Sequence, residues 1–387
     1  MLDGRASAEL RRLVSLTERR ELGAFFTRTE LADRLTGPLR EAQGDIVVAD
    51  TSCGAGDLLL SAVRVLAPAI RRATATVRLC GVDIVPEFVE VAAWRLELQR
   101  RVLDIDLEVR VRCGDGRFAP EAGSATHVLL NPPFASVPST DTCDWASGRV
   151  NGAADFVDHT VSRLTPGSRI LALLPDVLRS GARYEQWRRL IKARLDIEET
   201  TILGRFDKWA DVDVFLLSAI RRSRPDGSPP KSWVGEASGP TVGDRFHVSV
   251  GPVVHYRAPD RGPWRPYLTA KDFPTWSTIR KVARHRRFVG RLHHGPFVAV
   301  PRTSRPEEPA RARGAIVADH RPVAVDNHLL VLTPLSGSID ECHRLLGVLR
   351  SEAANVWLNR AIRCRHLTVG AIASIPWVEA GVSHHAG

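Results

Sequence analysis

Short apolar runs recur along the first 220 residues, each stopping at a polar or turn residue: IVVAD at 46–50, LCGVD at 79–83, THVLL at 126–130 and ILALL at 170–174. Between them apolar positions return at helical spacing, over Leu58–Leu66, Pro86–Val102, Phe156–Leu164 and Tyr184–Leu195. Runs this short and this apolar suit strands covered on both faces. Their alternation with helices predicts an α/β domain on a Rossmann-like, doubly wound, mostly parallel sheet. Two later runs, ETTILGRF and VDVFLLSAI, predict an antiparallel hairpin at one edge.

The pattern then changes. RRSRPDGSPPKSWVGEASGPTVGD, residues 221–244, is rich in Pro, Gly and Ser and has no apolar period, so it reads as a linker. Beyond it, the β-like runs PFVAV, GAIVA and NHLLVL lead into a helical stretch from Ile339 to Ala361. The expected organisation is residues 1–220, a linker over 221–244, and a smaller α+β domain over 245–387. No internal repeat is visible.

Charge separates the same two parts. Residues 1–243 hold 33 basic and 33 acidic side chains, whereas residues 244–387 hold 21 and 11, so the net charge of +10 resides in the second part. Eleven of the 13 histidines lie there too. Its cations are mostly arginine, which forks onto phosphates and guanine edges, and a polyanion partner is expected for this domain. The six cysteines form no CxxC pair, which argues against a zinc knuckle or a disulfide framework, and no metal site is expected. No uncharged apolar run reaches the roughly 18 residues of a membrane span, and MLDGRASAELRRL is charged where a signal peptide is apolar. A cytoplasmic location without membrane contact is the expectation.

In open parallel sheets the ligand crevice lies at the carboxyl ends of the strands. Asp50, Asp83 and Asn131 fall at such ends. VVADTSCGAGDLLL is a strand, an acidic residue, a Gly-x-Gly turn at Gly54 and Gly56, and a helix start with open N–H groups. Asp83, in GVDIVPEF, suits the hydroxyls of a ribose, although alone it would serve equally as a helix cap. Asp115, in RCGDGRF, suits the amine of an adenine ring. LLNPPFAS adds two prolines that stiffen the main chain and leave carbonyls to accept from outside. Asn131 brings a further acceptor and Phe134 a flat ring. Two acceptors aimed at one point beside a stacking face suit a planar amine, its lone pair turned toward an electrophile.

The order GAFFT (23–27), DTSCGAGDLL (50–59), VDIVPEF (82–88), GDGR (114–117), NPPF (131–134) resembles that of gamma-class N6-adenine DNA methyltransferases of type I and type IIG restriction-modification systems. The resemblance implies the class I S-adenosylmethionine-dependent methyltransferase fold, with S-adenosylmethionine as cofactor and double-stranded DNA as substrate. It implies Thr27 near the methionine carboxylate, and Asp50, Ser52, Gly54 and Gly56 around the methionine part. Asp83 and Ile84 would contact ribose and adenine, and Asp115 the adenine amine. Asn131, Pro132, Pro133 and Phe134 would hold a flipped-out target adenine, and Phe206 would supply a second aromatic against it. The C-terminal domain resembles fused target-recognition regions, with Arg302, Arg305, Arg311 and Arg313 as candidate DNA contacts. The chain starts close to the first motif and shows no nuclease motif, so restriction or phage defence would need a separate nuclease or other subunit. The competing readings are a methyltransferase acting on RNA or on a protein glutamine, and a non-catalytic DNA-binding subunit with a decayed cofactor site.

Overall fold

The computed structural model describes residues 27–139, 143–206, 212–223, 239–255 and 257–378. The greater part of the expected linker, residues 224–238, and residues 23–26 of GAFFT lie outside them. The chain divides into two compact units, essentially Met1–Lys231 and Ser232–Gly387.

In the first unit the central strands are β1 (Gly44–Asp50), β2 (Ala75–Asp83), β3 (Glu108–Cys113) and β4 (His127–Leu130). A short hairpin, β5 (Ser136–Pro138) with β6 (Arg149–Asn151), precedes β7 (Arg169–Pro175), β8 (Leu195–Arg205) and β9 (Asp213–Arg221). The seven-stranded order is β3-β2-β1-β4-β7-β9-β8. All neighbours are parallel except at β9, which runs against both β7 and β8. This is the expected Rossmann-like, doubly wound, mostly parallel sheet, with the expected hairpin at its edge. The chain reverses its direction across the sheet between β1 and β4, the switch point at which such sheets open a crevice.

Helices α1 (Thr29–Thr36), α2 (Asp57–Arg71), α3 (Pro86–Leu103), α4 (Gly152–Arg163) and α5 (Glu185–Arg194) accompany the sheet. α2 runs five residues past the expected Leu66, through Pro68. α4 starts four residues before the expected Phe156, because Asn151 accepts the Ala153 N–H and sets the first turn. β1 and β2 bury Val48 and Leu79 completely, against Leu59 and Leu66 of α2 and Leu96 of α3. Arg95 of α3 enters this packing as a buried cation: 2% exposed, it donates to the Ala55 carbonyl at 2.6 Å and to Asp57 at 2.9 Å. It ties the glycine turn and the start of α2 to the neighbouring helix.

The second unit holds a five-stranded sheet of order β10-β17-β14-β15-β12. Its strands are β10 (Phe246–Val250), β12 (Thr278–Ile279), β14 (Phe297–Pro301), β15 (Ala315–Val317) and β17 (Leu329–Pro334). A three-stranded sheet, β13-β11-β16, is formed by β11 (Trp264–Leu268), β13 (His285–Arg287) and β16 (Ala324–Val325). The helical stretch expected from Ile339 to Ala361 is two helices, α6 (Ile339–Arg350) and α7 (Glu352–Ala361). Ser351 divides them, since its hydroxyl accepts the Ala354 N–H and caps a new helix start. A final helix, α8 (Val369–Ala373), packs with both against the larger sheet through Leu345, Leu358 and Ile372.

Arg95→Met leaves the Ala55 carbonyl and Asp57 without their buried donor. It should lower the unfolding free energy of the first unit by ~3 kcal/mol, read as a lower midpoint in urea.

Candidate active site

The register of the parallel strands gathers the polar tips. Asp50 pairs with Gly81 on one side and Leu129 on the other, and Asp83 pairs with Cys113. Asp50, the glycine turn, Asp83, Asp115 and Asn131 therefore emerge side by side. They line a cavity of about 250 Å³.

Asp50 is 1% exposed, and burial pushes its carboxyl up to about 8, with Asp83 and Asp57 adding to the rise and the Ser52 N–H opposing it. Gly54 and Gly56 have φ of 50° and 83°, a left-handed turn that glycine adopts without strain. The Gly54 N–H donates to Asp83 Oδ2 at 2.8 Å and the Val85 N–H to Oδ1 at 3.0 Å. Asp83 thus stitches the glycine turn to the loop after β2, while burial holds its pKa above the ordinary value. Ile84, next in that loop, is 66% exposed beside the cavity and offers an apolar face to a ring. Thr51 and Ser52 also line the cavity, and their buried hydroxyls have no hydrogen-bond partner among the described residues. An unsatisfied buried hydroxyl costs ~1–3 kcal/mol, which a polar ligand recovers.

Asp115 is engaged. Arg117 forks onto its carboxylate at 2.7 and 3.1 Å and lies 3.3 Å from Asp155. Burial alone would raise the Asp115 pKa, but these bonds and the Arg117 charge hold it below the ordinary value. Gly116, between them, packs its Cα on the tip of β1: a Cβ there would overlap the Thr51 carbonyl oxygen and press on Phe156.

At the opening of LLNPPFAS, the Asn131 Nδ2 donates to the Thr27 hydroxyl at 2.8 Å, which orients the amide. Asn151 holds the rest of that loop. Its Nδ2 donates to the Phe134 carbonyl at 3.1 Å, and its backbone N–H donates to Tyr184 Oη at 3.0 Å. Gly152 lets the loop sit directly on α4, since a Cβ would come within 2.9 Å of the Pro133 and Ala135 carbonyls. Asn131 and Pro133 line the cavity, while Pro132 is buried. Phe134 and Phe206 meet edge to face, 5.9 Å between centroids at 78°. Phe206 is 1% exposed, so it backs Phe134 from the core and presents no open face. Arg28 donates to the Phe206 carbonyl and fixes the end of β8 from the start of α1.

Asn151, Gly152 and Asp155 lie outside the sequence motifs, and Gly116 lies inside GDGR without a role of its own there. Asn-Gly before a helical run is a helix-start signal, but nothing local shows which loop it clamps.

The four arginines named for DNA contact separate. Arg311 is a correction: it is 1% exposed and donates to the carbonyls of Leu358, Ile362 and Cys364 and to Asn359. It ties the loop before β15 to the end of α7, because carbonyls beyond a helix terminus lack intrahelical donors. Arg302 is half-buried and donates to the Asn327 carbonyl at 3.1 Å. Arg305 and Arg313 are exposed, Arg313 beside Glu308 at 3.1 Å.

Comparison with known families agrees with this geometry. Residues 10–199 match the model of the N-6 DNA methylase family. This segment is similar to N-6 DNA methylases. The matched segment includes β1 to β7 and every residue lining the cavity. Solved structures to which the chain is similar include three restriction-modification proteins. They are the type IIG restriction endonuclease BpuSI (14% identity, TM-score 0.48, covering 96% of this chain and 61% of that one), the M protein of the type I restriction enzyme EcoKI (20%, 0.41, 51% and 44%), and a type I restriction-modification methyltransferase subunit from Streptococcus thermophilus (17%, 0.39, 54% and 48%). This chain spans less than two thirds of each. No curated protein sequence matches it.

Gly116→Ala forces the loop off the β1 tip and should cost ~3 kcal/mol of stability, measured in urea. Because the folded Asp50 pKa lies above its unfolded value, the folded state retains a proton that the unfolded chain has released between about pH 4 and 8. Stability of the ligand-free chain therefore falls as pH rises through that window, and Asp50→Asn removes this part of the slope. An unchanged slope in the variant would locate the proton elsewhere.

Proposed function

We propose that the chain is an S-adenosylmethionine-dependent DNA methyltransferase that modifies the N6 amine of an adenine turned out of the duplex. The observation that carries this reading is the single cavity onto which the Asp50, Asp83 and Asp115 tips, the orphaned Thr51 and Ser52 hydroxyls and the Asn131 amide all open. These groups fit the cofactor. Thr51 and Ser52 suit the polar end of its methionine part, Asp83 its ribose, Ile84 and Asp115 its adenine. The Thr51 hydroxyl, where the family usually has proline, adds a polar partner and removes none. When bound, S-adenosylmethionine supplies an electrophilic methyl group.

The remaining work belongs to the chain. Asn131 and the carbonyl of Pro132 accept the two N–H groups of the target amine, which holds its lone pair toward the donor. Thr27 fixes the Asn131 amide and Asn151 fixes the loop through the Phe134 carbonyl. Phe134, backed by Phe206, supplies the stacking face. Reaching the amine requires extrusion, since N6 is not accessible inside the stack. Arg117 retains Asp155 as a second partner when Asp115 takes an adenine amine. The basic second unit is the DNA-recognition domain of this reading, and a nuclease or other defence subunit is its partner class.

Calorimetry with S-adenosylmethionine should give binding accompanied by proton release near neutral pH, since a cationic ligand favours the ionised form of Asp50; no measurable heat, with or without DNA, would sink the enzyme reading. Asn131→Ala should abolish adenine methylation, at least 10²-fold below the parent, while cofactor affinity changes less than about threefold. Mass spectrometry of methylated nucleosides measures the product directly.

A further inference from the structure

The second unit contains a cavity of about 720 Å³, which the arginine-rich loop borders through Pro301, Thr303 and Arg313. Its floor is the three-stranded sheet. β11 pairs β13 with Arg265 opposite Arg286, and β16 runs parallel on the other side with Val325 opposite Leu268. This pairing brings together Lys271, Arg284, His285, Arg286, Arg313 and His328, residues spread over 58 positions of sequence.

The two acids in the wall are occupied from within. Asp326 accepts from Tyr267 Oη at 2.5 Å and from the His328 backbone N–H at 2.8 Å, with His328 Nδ1 at 2.6 Å. Asp260 accepts the Arg287 N–H at 3.1 Å. Arg286 is buried under the cavity, its guanidinium 5.6 Å above the Tyr267 ring and 3.0 Å from His255 Nδ1. Its Nε is buried with no hydrogen-bond partner among the described residues. Lys271, Arg284, His285, Arg313 and His328 are exposed around it. A concave surface with a buried cation beneath and a ring of exposed cations above accepts a protruding anion. It is not shaped to enter a groove and read base edges.

We infer that this cavity is a phosphodiester clamp: it seats a backbone phosphate of duplex DNA and positions the duplex without reading its sequence. The inference rests on DNA being the substrate. It also moves the principal anion contact from the loop of Arg302 and Arg305 to Lys271 and Arg284, with Arg313 as the shared rim.

The test is fluorescence anisotropy of the full chain on labelled duplexes of several sequences across a salt series. Lys271→Ala/Arg284→Ala, both exposed positions, should weaken binding about tenfold or more on every duplex. It should also reduce the slope of log affinity against log salt by about 1–2, near 0.9 for each phosphate that the protein no longer neutralises. Lys271→Arg/Arg284→Lys should retain both, and Arg305→Ala should change affinity less than about threefold. An unchanged slope and affinity in the double alanine variant overturns the clamp, as does a loss confined to one duplex sequence, which marks a base reader. A loss seen on single-stranded RNA but not on duplex DNA overturns it too. A parent chain that binds no duplex sinks the DNA-substrate reading itself. A parent that binds while the variant matches it sinks only the clamp.

Discussion

The parallel pairing of β1 with β2 on one side and β4 on the other places Asp50 where the chain changes its direction of travel across the sheet. Everything at the candidate active site depends on that register. A shift of one residue would move Val48 and Leu79 to the opposite face of the sheet, against side chains they do not fit, and carry Asp50, Asp83 and Asn131 out of line with one another. The apolar load of both faces fixes the register, and the polar tips follow. Site geometry is thus a by-product of core packing, which is why a buried acid with its carboxyl pushed up to about 8 persists beside two other carboxylates.

Around that frame the loops are held by individual polar bonds. Asp83 joins the glycine turn to the β2 loop, Arg95 joins it to α3, Thr27 orients Asn131, and Asn151 clamps the main chain at Phe134. Each satisfies backbone or amide groups that would otherwise be stranded at the edge of a core. The orphaned hydroxyls of Thr51 and Ser52 are the exception, and they face the cavity. A site whose surrounding polar groups are paired and whose wall retains two unpaired hydroxyls is prepared for a ligand with polar groups of its own.

The second unit uses its many arginines in two unlike ways. Arg311 is consumed by the fold, satisfying carbonyls at and past the end of α7, whereas the exposed Arg284 and Lys271 line an open cavity. Composition showed the excess of positive charge in this half. It could not divide the cations between these tasks, because a guanidinium spent on buried carbonyls and one facing solvent have the same letter in the sequence.

Strand and helix order, the edge hairpin and the acidic tips were legible from the sequence alone, because apolar period and strand-end polarity are local properties carried by consecutive residues. The split of Ile339–Ala361 at Ser351 was also local, although the continuous apolar period hid it. What tertiary structure alone decided are the long-range contacts. Gly116 lies against Thr51, Asn151 against Phe134, Phe206 behind Phe134, and Lys271 shares a cavity with Arg313. These partners are separated by 17 to 72 residues, and only the register of paired strands brings them together.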